Sequence, residues 1–200
     1  MRTDAAKTHL DGLLQEARRS AHELADELEQ VGDEHDLISH LFVGVAQLHA
    51  SLKLRDIVAA VAETLINLVG TEDFALFVRD ETSGRFEKLW STGPKASQLA
   101  GFADGQGAFG RAVAGDGIVF DAGSVATIPL AGSLQPGCFA AVVVCSLVGH
   151  KPALTARDHQ FLATFAEHGA RALEAAIRLA QAPSTPTSVG ELRRALEQAV

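Results

Sequence analysis

Cysteine is scarce in this 200-residue chain: Cys138 and Cys145 are the only two, so no disulfide framework can organise the fold. Both fall in one strand-like run, seven positions apart, which at about 3.3 Å per residue separates them by about 23 Å on opposite faces. They cannot bridge each other, and the expectation is two buried thiols. No run of about 18 apolar residues occurs, which argues against a membrane-spanning helix. The start Met1-Arg-Thr-Asp-Ala-Ala-Lys7 lacks the apolar core of a signal peptide. The expected location is therefore the cytoplasm, with no membrane insertion. Basic charge is also short, with 17 Lys and Arg against 25 Asp and Glu and a net charge of −8, which argues against a nucleic-acid partner.

Catalytic signatures are missing too. There is no His-Glu-x-x-His, no Gly-x-Ser-x-Gly and no phosphate loop ending in Lys. The eight histidines are His9, His22, His35, His40, His49, His150, His159 and His168, and no two stand at the i, i+4 spacing that puts a pair of metal ligands on one helix face. The expectation is no enzyme, no metal site and no cofactor.

What the chain does have is 47% hydrophobic residues, enough for one core of ordinary size plus appendages. Leu10, Leu14, Ala17, Ala21, Leu24, Leu28, Val31, His35, Ile38, Phe42 and Val45 recur at alternating steps of four and three. This heptad stripe predicts a helical seam that needs a partner. An amphipathic helix lying on its own domain is the alternative. The narrow stripe and a reach of about 50 Å for about 35 residues favour association between chains. Gly32 lowers helix stability and Asp33 can cap a new start, so a kink is expected there. Farther on, Thr155-x-x-Asp158 has the form of a capping box, and Phe161, Leu162, Phe165, Ala172, Leu173, Ala176 and Ile177 form an apolar helix face. Pro183-Ser-Thr-Pro-Thr-Ser188 reads as a stiff linker. A final helix from Val189 to Val200 carries Leu192 and Leu196 on one side. So short a helix must dock or fray; it packs at home or inserts, through Leu192 and Leu196, into a partner's groove.

Gly105-x-Gly107-x-x-Gly110 matches the dinucleotide-binding fingerprint in form. That site needs a buried strand before it, a long helix after it and an acid about 20 residues on. Here Lys95 to Asp104 reads as loop, the helix lasts only to about Gly115, and Ile128 to Ala131 holds no acid. The fingerprint is rejected. Before it lie strand-like Phe74 to Val78 and Arg85 to Trp90, joined by hairpin residues Glu81 to Gly84. After it come Val125 to Leu130, a break from Ala131 to Gly137, and the run Cys138 to Val148.

This order, with a glycine turn, a short helix, the second glycine turn Gly115-Asp-Gly117 and an edge strand ending in Asp121, resembles the GAF domain family from about Asp36 to Ala180. The resemblance implies an α+β, PAS-related antiparallel sheet flanked by helices, preceded by the long coiled-coil helix. The expected organisation is a coiled-coil helix at 1–33, a GAF-like domain at 34–182, the linker at 183–188 and a short C-terminal helix at 189–200. In that family the first and last helices commonly pair with those of a second chain, which implies a parallel homodimer.

The resemblance also places a pocket, with Trp90, Phe102, Phe109, Arg111, Phe120 and Thr127 around it. Arg111 is its obvious anion-binding group, and a small carboxylate or phosphate is its natural ligand. Ordinary core packing for the aromatics, and a solvated helix position for Arg111, are the competing readings. Family members that enclose a ligand usually have a long connection after the residue equivalent to Asp121. Here only Ala122 to Ala126 fills it, so the cavity is expected to be shallow, open or filled by side chains. The signature of cyclic-nucleotide-binding members is missing, no cysteine is placed for a bilin, and none lies in Gly93 to Val125 for methionine sulfoxide reduction. The expected function is a homodimeric, non-catalytic regulatory module working in signalling or assembly with a protein partner. The alternatives are a sensor of a small anion or nucleotide and, last, a GAF-fold enzyme.

Overall fold

A computed structural model describes residues 2–115, 117–121, 124–132, 137–181 and 189–198. It divides into two compact units, Met1–His40 and Leu41–Val200. The first unit is helical, belonging to α1, Arg2–Leu48. Its sequence is rich in Ala, Leu and Glu, all strong helix formers. Pairs one turn apart add to this, with Arg19 Nε 3.7 Å from Glu23 and Gln30 Nε2 donating to Glu34 at 3.1 Å. The helix runs unbroken through Gly32, and the chain leaves helical geometry only between α1 and α2. One glycine costs about 1 kcal/mol, which the flanking turns absorb. At the observed break the Ser51 hydroxyl accepts from the Lys53 amide at 3.1 Å and donates to Asp56 at 2.7 Å.

In the second unit, α2 (Leu54–Thr64) continues as a π-helical turn, Leu65–Val69, that stops at Gly70 in the left-handed region with φ 73°. The strands are β1 (Asp73–Arg79), β2 (Arg85–Thr92), β3 (Phe102–Ala103), β4 (Val119–Asp121), β5 (Ser124–Ala131) and β6 (Cys138–Ser146). They form one six-stranded sheet in the order β3-β2-β1-β6-β5-β4, with every pairing antiparallel. Helices α3 (Pro94–Gln98), α4 (Gly107–Ala114), α5 (Ala156–Gln181) and α6 (Val189–Gln198) complete the fold.

Alternation along the strands divides the core in two. Leu76, Val78, Ile128, Leu130, Val142 and Val144 are buried on one face, toward α5, which packs on β5 and α2. Ala75, Phe77, Phe86, Ala141 and Val143 form the other face, with Ala96 of α3 and Val113 of α4 above them. The capping box at the start of α5 is present as expected. Asp158 Oδ2 accepts from the Thr155 amide at 2.6 Å, and the Asp158 amide donates to Thr155 Oγ1 at 3.2 Å. Asp158 Oδ1 also accepts from Lys151 at 2.7 Å.

Besides the kink expected at Gly32, two further expectations need correction. The stretch Lys95 to Asp104, read as loop, holds most of α3 and all of β3. The reason lies far away in sequence: the buried Asp73 carboxylate accepts from the Ala96 amide at 2.8 Å and the Lys95 amide at 3.3 Å, capping α3. Gly93 permits this approach, since at φ 85° a Cβ there would lie 2.6 Å from the Asp73 Cα. The cysteines also do not face opposite ways, because both pack against the Phe77 side of the sheet. Leu130 pairs with Ala140 but Ala131 with Cys138, so Phe139 is an extra residue that resets the alternation. Both cysteines are free and only half-buried.

Candidate functional site

The expected pocket lies between α4 and the sheet, and its residues do not converge. Phe102 is the centre of an aromatic cluster, with its ring 5.0 Å from Phe77, stacked on Phe86 at 5.0 Å and 5.8 Å from Phe109. Thr127 is buried beneath, on the same face because it pairs with Val143. These rings occupy the space where a ligand was expected. The three remaining candidates point elsewhere. Trp90 packs on Phe74 at 5.5 Å, on the opposite face, because a bulge between Leu76 and Phe77 shifts the β1–β2 register. Arg111 is exposed on α4. Phe120 is turned toward α5 and stacks on His159 at 4.1 Å.

That stack borders a hollow of about 810 Å³ at the open end of β5, reached by Val113 and Ala114 of α4, Pro129 and Ala131 of β5, and Ala163 and Ala166 of α5. Arg79, Asp104, Cys138 and His159 are its polar lining. Burial pushes the Cys138 thiol up to about 11, so it is protonated at neutral pH and a weak nucleophile. Cys145 is likewise pushed up to about 11 by burial. The exposed Arg79, the acidic Asp104, the His159 imidazole and the Phe120 ring share this lining. No signal in the sequence placed Arg79, Cys138 and His159 together, since they come from three elements. Among the described residues, no three His, Cys, Asp or Glu side chains gather as a metal site.

The seam and tail candidates also have positions. Ala21, Leu24, Leu28, Val31 and Ile38 are exposed along α1, while the side chains of Leu10, Leu14 and Ala17 lie outside the described residues. The linker 183–188 lies outside them as well. In α6, Leu192 is buried and Leu196 half-buried, with the helix lying on β2 of its own chain. Asp80 holds its start: one carboxylate oxygen accepts from the Thr82 and Ser83 amides at 3.0 and 2.9 Å, the other from the Val189 amide at 3.2 Å. The hydrogen bond from the Ser83 amide leads in holding the Asp80 carboxyl below its usual value, against the effect of burial and with help from Val189.

No protein-family model matches the chain, and no curated protein matches its sequence. Solved structures do match. The GAF domain of a phosphoenolpyruvate-protein phosphotransferase from Coxiella burnetii is 16% identical, with 74% of this chain and 97% of that one covered and a TM-score of 0.58. The GAF domain of a candidate sensor histidine kinase from Pseudomonas syringae pv. tomato is 18% identical, with 77% and 95% covered and a TM-score of 0.57. A free methionine-R-sulfoxide reductase from Neisseria meningitidis, solved with its substrate, is 16% identical, with 72% and 91% covered and a TM-score of 0.54. The chain therefore has the GAF fold, the mixed helical and antiparallel architecture that its sequence predicts. These neighbours are GAF domains of a phosphotransferase and of a sensor kinase, and a reductase, so the fold by itself assigns no activity.

Proposed function

We propose that the chain is a non-catalytic regulatory module of signalling or assembly that works as a homodimer through α1. The observation that carries this reading is the stripe on that helix. Leu24, Leu28, Val31 and Ile38 are 58, 72, 61 and 64% exposed in the single chain, at the steps of four, three and seven that a coiled coil needs. A stripe of this kind on a 47-residue helix invites a second helix of the same pattern, and a second copy supplies one. The aromatic cluster beneath α4 supports the non-catalytic part, since Phe102 and Phe109 pack there with Phe77 and Phe86 rather than lining an open cleft. No described helix is long and apolar enough to cross a membrane.

The test is light scattering on wild type and on the Leu24→Glu, Leu28→Glu double variant. A dimer that becomes a folded monomer supports the reading, and a wild-type monomer at micromolar concentration refutes it. A second reading, a sensor of a small anion or nucleotide, is favoured by the hollow lined by Arg79, Phe120 and His159. It predicts a ligand-dependent rise in thermal stability, because a ligand that binds only the folded state adds RT ln(1 + [L]/Kd).

A further inference from the structure

α6 sits on the sheet as a ligand would. Val189 and Leu192 are 2% exposed and Leu196 is half-buried, so the helix is anchored at i, i+3 and i+7, the spacing of a helix laid in a groove. Its first amide meets the Asp80 carboxylate at 3.2 Å, and a negative group favours that end of a helix. The Arg193 guanidinium donates to the Lys88 carbonyl of β2. The fit is incomplete, because a hollow of about 370 Å³ remains beside Leu192, bounded by Val78, Glu174 and Ile177. A helix of ten residues has little stability of its own. Its order depends on the groove.

We infer that the surface formed by β2, Asp80 and the end of α5 is a helix-receiving groove, filled in cis by a displaceable α6 and able to take the α6 segment of a second copy. The argument for that occupant is the seating itself. The recessed apolar anchors, the cap at Asp80 and the contact at Lys88 are complementary to this segment, so a second copy needs no new chemistry. The link from Gln181 to Val189 spans at most about 29 Å when extended. Such a tether keeps the cis helix at high effective concentration. The groove is thus mostly closed to a helix from outside until α6 lets go, and trans affinity is lowered by the closed fraction. The inference deepens the regulatory reading and rests on it for its biological use. It makes no appeal to dimerisation through α1, so the two can fail separately.

The test uses the full chain and a fluorescent peptide matching residues 187–200, read by anisotropy. Leu192→Asp removes the central anchor from the cis helix and leaves the groove intact. The variant is expected to bind the peptide at least tenfold more tightly than wild type, and a peptide carrying the same substitution is expected not to bind. Equal affinity for the two proteins, or no binding to a folded variant, overturns the inference. Hydrogen exchange on wild type gives a readout that does not depend on the variant. Amides of α6 are expected to exchange at least tenfold faster than those in the middle of α5, through opening that leaves the sheet protected. Exchange of α6 only together with the sheet overturns the strap.

Discussion

Replacing Phe102 by Ala removes the ring that fills the space beneath α4. A fully buried Phe→Ala change costs about 3–5 kcal/mol. Phe102 is half-buried but touches three other rings, each pair contributing about 0.5–1.5 kcal/mol beyond area burial. The two considerations together give a loss of about 3 kcal/mol. For a chain of this size each kcal/mol corresponds to about 2–4 °C, so Tm is expected to fall by about 6–12 °C. Phe102→Leu refills much of the volume and loses the stacking, with an expected cost of about 1–1.5 kcal/mol. Calorimetry gives Tm, and denaturant unfolding followed by circular dichroism gives the free energy. A loss below about 1 kcal/mol for Phe102→Ala would mean that the ring is not part of a packed core. The space under α4 would then be an open pocket, and the non-catalytic reading would lose its main structural support.

Other outcomes follow from single contacts. Asp158→Ala removes the reciprocal half of the α5 capping box and leaves the half-buried Lys151 without its carboxylate partner, for an expected loss of about 3 kcal/mol by denaturant unfolding. Gly93→Ala forces a Cβ to within 2.6 Å of the Asp73 backbone at a positive φ, and is expected to cost at least about 2 kcal/mol. Burial opposes ionisation of Asp158, but the bonds from Lys151 and Thr155 outweigh it and hold its carboxyl below the ordinary 3.8; Asp80 is lowered as well. Both groups therefore stabilise the fold above about pH 4 and lose that contribution as pH falls through their folded values. Asp158→Asn is expected to flatten the acid limb of a stability-against-pH curve. Both thiols are pushed up to about 11, so iodoacetamide at pH 8 is expected to label them at least about tenfold more slowly than a free cysteine.

Elements whose signals are local were legible in the sequence. The Thr155–Asp158 box, the hairpin before Arg85 and the glycine turns around α4 each carry their determinants within a few residues, and the order of strands followed from them. The features that were missed depend on contacts distant in sequence. Helix α3 is capped by Asp73 and fixed by the backbone approach at Gly93, which no window around Lys95 contains. Strict alternation puts the two cysteines on opposite faces and family position puts Trp90 at the pocket, and a single bulge at Phe139 or in the β1–β2 register turns each assignment over. The candidate site suffered most, because family position names residues and bulges decide where they point. Phe102, Phe109 and Thr127 share a face, whereas Phe120 joined His159 to border a different hollow.

Native mass spectrometry of the full chain separates the homodimeric module from the sensor, because one spectrum reports subunit number and retained ligand together. A dimer with no added mass is expected, converted to a monomer by Leu24→Glu with Leu28→Glu. A wild-type monomer at micromolar concentration, or a dimer carrying a discrete adduct that disappears on denaturation, would contradict it. The first result removes the partner that the α1 stripe calls for; the second makes the chain a ligand-binding protein.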